Sequence, residues 1–287
     1  MPLLINIIGA GQLGKTLGHL LAKQSSAQIG AICNTSAQST ANAIQFIGQG
    51  SYCPEISQLP EADLTFIITP DRMIEPTCVE LCQNKSLKPG HIVLHCSGLL
   101  TSEILSSATT RGCYVASVHP MGSFANPELS VKQFPGTYCA IEGDDEAVLI
   151  VQALFSAIGS KIYTIDKEKK ALYHAAGVFA SNYLTIIAEQ ARLCLEAAGF
   201  DDPFAMELIT QIMRSTVANL ENTCSPQLAL TGPLQRGDIA TLAQHLQSLP
   251  SEDLKRLYSQ LGKGAITLTT HSAEKKEKIL ETLCLDY

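Results

Sequence analysis

The stretch that most constrains this chain is residues 3–17, LLINIIGAGQLGKTL. Leu3–Ile8 is a short apolar run rich in β-branched residues, the composition of a strand buried on both faces of a parallel sheet. It runs straight into Gly9-Ala10-Gly11-Gln12-Leu13-Gly14, and an amphipathic helix is expected from about Gln12. Each glycine has its own job in such a turn. Gly9 permits the tight bend, Gly11 lets backbone approach a pyrophosphate, and Gly14 lets the helix pack closely on the strand. The helix start adds unbonded N–H groups and the positive end of a dipole, both suited to phosphate. G-x-G-x-x-G alone is a weak signal, but here it follows a strand and opens a helix, the context a dinucleotide turn requires. Gly9, Gly11, Gln12, Leu13 and Gly14 are therefore expected to bind a dinucleotide cofactor; a purely structural glycine turn is the competing reading.

The loop after the second strand selects between cofactors. That strand, 28–33, ends at Asn34-Thr35-Ser36, roughly 20 residues beyond Gly14, where an NAD-preferring protein places Asp or Glu on the ribose 2′-OH. No carboxylate stands there. Asn34, Thr35 and Ser36 are neutral donors that accept a 2′-phosphate without repulsion, so NADP is expected over NAD, although the usual Arg partner is absent. A polar loop with no cofactor role is the alternative.

Further strands are expected at 63–68, 91–96, 113–118, 137–141 and 161–165, alternating with helical segments. That pattern is a doubly wound α/β Rossmann domain over residues 1–166. Ligands of such sheets bind beyond the carboxyl ends of the strands, so Gly9, Thr69 with Pro70, Ser97 and His119 are expected around one crevice. From 167 helices take over, giving an all-α second domain over 167–287. Its first helix, 167–198, is rich in alanine and apolar around most of its circumference, which calls for burial in a core or a subunit interface. A homodimer joined through this helical domain is expected. Asp202 reads as the N-cap of a helix reaching about 221, Asp238 as the N-cap of 239–246, and Ser251 opens another helix in which Gly262 and Gly264 leave the course undecided.

Composition excludes several partners. Of 287 residues, 46% are hydrophobic and 16% charged, an ordinary globular balance with room for about two domains. A net charge of −7 gives no electrostatic footprint for nucleic acid or an anionic membrane. No apolar run reaches the length of a membrane span and no signal-peptide pattern is visible, so a cytoplasmic protein is expected. The 10 cysteines include no C-x-x-C pair and read as reduced, buried small hydrophobes, with no metal site expected.

Hydride transfer needs a group that gives or takes a proton at the reacting heteroatom and another that holds the substrate. His174 is the leading candidate for the first, with Ser181 and Asn182 two turns further along the same helix face. Polar groups on a buried stripe need partners, which a ligand supplies; a core histidine bonded to a carbonyl is the competing reading. Arg236, flanked by Gly232-Pro233 and Gly237, is a cation on a turn suited to gripping a carboxylate with its planar fork, or else a surface arginine paired with Asp238. Ser97 offers a hydroxyl beside Gly98 for a nicotinamide carboxamide or a substrate oxygen. His119 ends a strand at the crevice, or is a loop histidine fixed by Pro120. Lys170 lies in the charged run 166–170 and reads as part of a solvated helix start. No G-x-S-x-G, H-E-x-x-H or phosphate-loop lysine is present, so hydrolase and kinase chemistry lacks support.

With these residues in view, the chain resembles a known group over nearly its whole length: Rossmann-like proteins whose helical second domain is a domain of unknown function. The resemblance rests on IIGAGQLG (7–14), HCSG (95–98), VHPMGSF (118–124), YHAAGVFASNYL (173–184) and LTGPLQRGD (230–238), the last two being the specific segments. The group belongs to the 6-phosphogluconate dehydrogenase-like superfamily and is often labelled NADP oxidoreductase. Its more distant relatives are pyrroline-5-carboxylate reductase, prephenate dehydrogenase and ketopantoate reductase. The resemblance implies a dinucleotide domain, a helical dimerisation domain and a cleft between them, and no particular substrate. His119 resembles the substrate-contacting histidine in the His-Pro-Met segment of prephenate dehydrogenases. Related hydroxyacid dehydrogenases carry a catalytic Lys and an Asn one helical turn apart, where this chain has Lys170 and His174, an altered pattern. The expected activity is hydride transfer between NADP(H) and a small, anionic carbonyl or imino compound. The alternatives are a non-catalytic dinucleotide-binding sensor or scaffold, and a prephenate-like dehydrogenase resting on His119 alone.

Overall fold

The computed structural model describes residues 1–284; positions 285–287, the end of the expected second domain, lie outside the described residues. The strands are β1 (Leu3–Ile8), β2 (Ala27–Cys33), β3 (Ser51–Tyr52), β4 (Leu64–Ile67), β5 (Ile92–His95), β6 (Tyr114–Pro120), β7 (Tyr138–Gly143) and β8 (Lys161–Thr164). They form one sheet in the order β3-β2-β1-β4-β5-β6-β7-β8. Every ladder is parallel except β6–β7. All the strands expected from apolar runs are present; β3 is too short to show a periodicity of its own. Chain order reverses at β1, which has β2 on one side and β4 on the other, so the carboxyl end of β1 opens on the switch point where such sheets bind ligands.

Helices cover both faces. On one, Ile5, Ile7, Phe66 and Leu94 pack with Leu17 and Leu21 of helix Gln12–Ala22 and with Val151 and Phe155 of helix Asp145–Ala157. On the other, Ile8, Ile67, Val93 and Val115 pack with Ile74, Cys78 and Leu81 of helix Asp71–Leu81. Neighbours Ile7 and Ile8 thus enter different cores, which is why β1 does not alternate and is apolar at every position but Asn6, whose buried side-chain oxygen accepts from the Ala31 N–H at 2.8 Å. Each such side chain contributes about 1.5–3 kcal/mol by leaving water.

The chain folds as two compact units, Met1–Ser181 and the residues from Asn182 onward. The segment expected as one long helix is graded. A 3₁₀ turn, Lys167–Lys169, leads into helix Lys170–Gly177, then a π-helical turn, Val178–Asn182, then helix Tyr183–Ala197. A π turn widens the helix by one residue, so the spacing from His174 to Asn182 is not that of an unbroken α-helix.

In the second unit Asp201, rather than Asp202, caps helix Asp202–Thr223: its carboxylate accepts from the Phe204 N–H at 3.0 Å, the reach a cap makes to the third helical residue. Asp238 caps helix Ile239–Ser248 through the Thr241 N–H at 3.2 Å, as expected. Helix Glu252–Ile266 passes through Gly262 and Gly264 unbroken. A Cβ on Gly262 would meet Leu283 at 2.9 Å, so this glycine makes room for the last helix, Ala273–Leu283. The core of the unit is small: Leu242, Leu246, Ile266, Ile279 and Leu283. Helix Tyr183–Ala197 has no buried residue, and Asp202–Thr223 buries only Ala205 and Ile209. Among the described residues no helix is long and apolar enough to cross a membrane.

Candidate active site

The glycine turn divides its labour as its spacing suggests. Gly9 has φ +87°, and a Cβ there would lie 2.6 Å from the Ile68 carbonyl oxygen. A Cβ on Gly14 would lie 2.9 Å from the carbonyl oxygen of Gly9, so helix and strand end touch backbone to backbone. At Gly11 a Cβ would meet nothing within 4 Å, which is the open approach a pyrophosphate needs. Helix Gln12–Ala22 has no side-chain cap and no acidic residue in its first turn, leaving its N–H groups to an anion.

Around this turn Asn34 has a bracing role: its Oδ1 accepts from the Ala10 N–H at 2.7 Å, leaving the amide NH₂ as donor. Ser36 caps helix Ala37–Ile47, accepting from the Ser39 N–H at 3.2 Å; Thr35 is exposed, and that helix too lacks an acid in its first turn. Beyond β4, the buried Thr69 Oγ1 has no hydrogen-bond partner among the described residues, and Pro70 is the N-cap of helix Asp71–Leu81. An unpaired buried hydroxyl costs about 1–3 kcal/mol, which a ligand at this strand end would relieve. The open space at Gly11, the uncapped helix start and the orphaned Thr69 oxygen fit a dinucleotide.

The polar machinery lies further along the sheet. The β5–β6 register sets His95 beside Ser117, and the antiparallel β6–β7 register sets Ser117 opposite Glu142. Lys170 Nζ donates to Ser117 Oγ at 2.5 Å and to Glu142 Oε1 at 3.0 Å. Glu142 also accepts from the Ser102 N–H at 2.9 Å and the Ser102 hydroxyl at 2.7 Å. Lys170 is therefore no part of a solvated helix start: it is 2% exposed. Lys167 and Lys169 of the same run remain in solvent, while Lys170 turns onto the sheet, where a cross-strand carboxylate receives it. Burial pushes the Lys170 pKa below the ordinary lysine value against the opposing pull of Glu142.

One helical turn later, His174 meets His119, ring centroids 5.9 Å apart and edge-on. The two rungs, Lys170 on Ser117 and His174 on His119, stay in step because four helical residues rise about 6 Å and two strand residues about 6.6 Å. Burial first, then His174 and Lys170, push the His119 pKa down to about 4. Beneath the pair lies Gly98. A Cβ there would sit 2.6 Å from His174 Nδ1 and 2.8 Å from His119 Nε2, so only glycine admits both rings.

The turn carrying Gly98 is built by His95 and Ser97. His95 Nδ1 accepts from the Ser97 N–H at 3.1 Å and its Nε2 donates to the Thr101 carbonyl at 3.1 Å. Burial, with Lys170 second, pushes this ring down to about 4 as well, a neutral structural histidine. Ser97 Oγ donates to Asp71 at 2.8 Å and accepts from the N–H groups of Leu99 (3.2 Å) and Leu100 (3.0 Å). Its proton and both lone pairs are committed, so a ligand contact at Ser97 would displace one of these bonds.

His119, His174, Ser97 and Thr69 thus belong to one unit with the glycine turn, Thr69 and Ser97 following paired strand ends. Asn182 and Arg236 belong to the other. Asn182 is exposed at the end of the π turn. Arg236 is the exposed last residue of helix Gly232–Arg236, its carbonyl accepting from Lys275 Nζ at 3.2 Å. Asp238 is occupied by Thr241, whose hydroxyl it binds at 2.7 Å. Sequence reasoning missed Glu142, Ser117 and Tyr173. The Lys170–His174 spacing was the available signal for a shared face, whereas nothing local marks Glu142 as the lysine's partner.

Fold and turn define a protein with a Rossmann-like architecture and a helical second unit. Residues 2–120 match the model of a Rossmann-like domain, and residues 137–265 match that of DUF2520, a domain of unknown function. The two matches follow one another along the chain and together span most of it. No curated protein matches it. Solved structures with this fold include protein TM1727 from Thermotoga maritima, 26% identical, covering 97% of this chain and 98% of that one with a TM-score of 0.70. BF3122 from Bacteroides fragilis, provisionally named an NADP oxidoreductase, is 20% identical over 93% of this chain and 98% of that one, with a TM-score of 0.78. Pyrroline carboxylate reductase from Plasmodium falciparum, solved with NADP bound, is 14% identical over 96% of this chain and 98% of that one, with a TM-score of 0.60.

Proposed function

We propose that this chain is an NADP(H)-dependent oxidoreductase acting on a small, anionic carbonyl or imino compound. The observation that carries this reading is the convergence of His119 and His174 over Gly98, in the unit that holds the glycine turn. Gly9, Gly11, Gln12, Leu13 and Gly14 would hold the pyrophosphate, with Thr69 and Pro70 beside it. Asn34, Thr35 and Ser36 would receive the 2′-phosphate, in a loop with no carboxylate to repel it. The NADP in the similarly folded pyrroline carboxylate reductase supports that choice. When bound, the cofactor supplies or accepts hydride at its nicotinamide ring.

His119 and His174 serve the proton that accompanies the hydride; His119, neutral at neutral pH, presents a hydrogen-bonding nitrogen to the reacting oxygen or nitrogen. Ser97 keeps the loop that exposes Gly98. Arg236 is assigned to the substrate carboxylate, and Asn182 to the catalytic group with His174 and His119. The helical unit pairs two copies of the chain, which accounts for the solvent-facing apolar residues of helices Tyr183–Ala197 and Asp202–Thr223.

Fluorescence titration tests the cofactor: NADPH is expected to bind more tightly than NADH, and equal or reversed affinities would overturn the NADP assignment. A thermal-shift screen of carboxylated carbonyl and imino metabolites with NADPH present then tests the substrate class, because a ligand of the native state alone raises stability by mass action. Stabilisation only by uncharged compounds would overturn the anionic assignment.

A further inference from the structure

Tyr173 precedes His174 in helix Lys170–Gly177, and its ring packs edge-on against His119, centroids 5.5 Å apart at 86°. His119 is therefore flanked by two consecutive helical residues. The Tyr173 phenol oxygen lies 3.1 Å from His119 Nδ1 and 3.5 Å from the His119 carbonyl oxygen. The shorter contact is an ordinary hydrogen bond and the longer a weak one. Two proton arrangements suit a phenol against an imidazole nitrogen: the O–H donates to a bare Nδ1, or an Nδ1–H donates to the phenol oxygen.

Contact geometry and donor strength choose between them. A phenol donates better than it accepts, because its oxygen lone pair is drawn into the ring. The second arrangement would leave its proton to the weak 3.5 Å contact with the His119 carbonyl, so the O–H takes the 3.1 Å contact to Nδ1. Burial, then neighbouring Tyr163, push the phenol pKa far above its ordinary range, so the phenol is a neutral donor. His119, pushed down to about 4, carries one ring proton rather than two at neutral pH. A phenol that donates to Nδ1 leaves that proton on Nε2, the nitrogen 2.8 Å from the place a Gly98 Cβ would take.

We propose that Tyr173 is the positioning residue of this site, holding His119 as its Nε2–H tautomer by donating to Nδ1. The site then aims a neutral N–H donor past Gly98, on the side His174 Nδ1 also faces. Such a donor polarises a carbonyl or imine and stabilises charge developing on its heteroatom without first being charged itself. The proposal rests on the reading of His119 as a group that meets substrate, but the tautomer is measurable without any substrate.

The test is a long-range ¹H–¹⁵N correlation spectrum of uniformly ¹⁵N-labelled protein at neutral pH, with His119 assigned by its disappearance in His119→Gln. The expected pattern is a protonated, pyrrole-type Nε2 and a bare, pyridine-type Nδ1. Tyr173→Phe keeps the ring and removes the hydroxyl, and should move the His119 population toward Nδ1–H or a mixture. An Nδ1–H pattern in the unsubstituted protein, or an unchanged pattern in folded Tyr173→Phe, overturns the proposal. Should Tyr173→Phe not fold, 3-fluorotyrosine labelling replaces it: the more acidic phenol should shift the His119 Nδ1 resonance, and an unmoved resonance overturns the proposal. NADPH failing to bind while His119 shows the Nε2–H pattern supports the tautomer assignment and overturns the oxidoreductase reading.

Discussion

Lys170 and Glu142 form an ion pair 3.0 Å long, with side chains only 2% and 7% exposed. Burying either charge alone costs several kcal/mol, and the pair is tolerated because both Glu142 oxygens are engaged and Lys170 has a second acceptor: Ser102 donates twice to the carboxylate and Ser117 accepts from the ammonium. The pair sits one helical turn from His174 and two strand residues from His119, so it fixes the height at which the helix rides on β6.

Removing one partner should therefore be severe. Lys170→Met leaves Glu142 buried and unpaired and is expected to destabilise the protein by about 3–5 kcal/mol. Lys170→Met combined with Glu142→Gln should recover part of that loss, because no unpaired charge is then buried. Urea unfolding of the single and double variants measures both; equal stability of Lys170→Met and the parent would contradict the buried pair.

Acid should loosen the fold before the carboxylates titrate. Burial lowers the pKa of His91, His95 and His119 from 6.5, the latter two to about 4. Below pH 6.5 the unfolded chain takes up protons that the folded chain refuses, so this stability is full above 6.5 and is lost as pH falls toward 4. The urea midpoint should drop between about pH 7 and about pH 5, and a flat midpoint across that range would exclude the effect.

Two glycine substitutions should separate folding from binding. Gly11→Val adds a side chain where a Cβ meets nothing within 4 Å, so the fold should persist while NADPH binding is abolished. Gly9→Ala places a Cβ 2.6 Å from a backbone oxygen at φ +87°, so it should lower the melting temperature itself. Circular dichroism melts and NADPH fluorescence distinguish the two; a Gly11→Val protein that binds normally would remove the turn from the cofactor site.

Once a substrate is in hand, His119→Gln and His174→Gln should each lower turnover by about 10²–10⁴-fold, the usual contribution of a positioned proton-transfer group. NADPH affinity should stay nearly unchanged in both, since neither residue touches the glycine turn. Undiminished turnover in both variants would remove the histidine pair from the chemistry.

Ile186 and Ile212 are 51% and 67% exposed on helices that bury little of themselves. Light scattering should show a dimer at about micromolar concentration, and Ile212→Glu should shift it to monomer without unfolding it, as expected for a charge placed in an apolar interface. A monomeric parent protein would refute pairing through this surface.

What the sequence determined by itself was local. Gly9, Gly11 and Gly14 could be read in advance because each answers a backbone demand met within a few residues: a positive φ, an open approach, a close helix contact. The strands were legible because burial on both faces requires a predominantly apolar run, and Asp238 because a cap acts on the third residue after it. Its neighbour in kind, Asp201, slipped by one position, since Asp201 and Asp202 offer the same carboxylate and only backbone geometry chooses between them. His119 and His174 were visible as separate candidates, but not as a pair. Lys170 was misjudged outright, its charge run promising solvent. Those facts waited on tertiary structure for one reason. The antiparallel register of β6 and β7 decides that Glu142 stands opposite Ser117, and the near-equal rise of four helical and two strand residues decides that Lys170 lands on that pair while His174 lands on His119. Neither the register nor the alignment is carried by any residue alone.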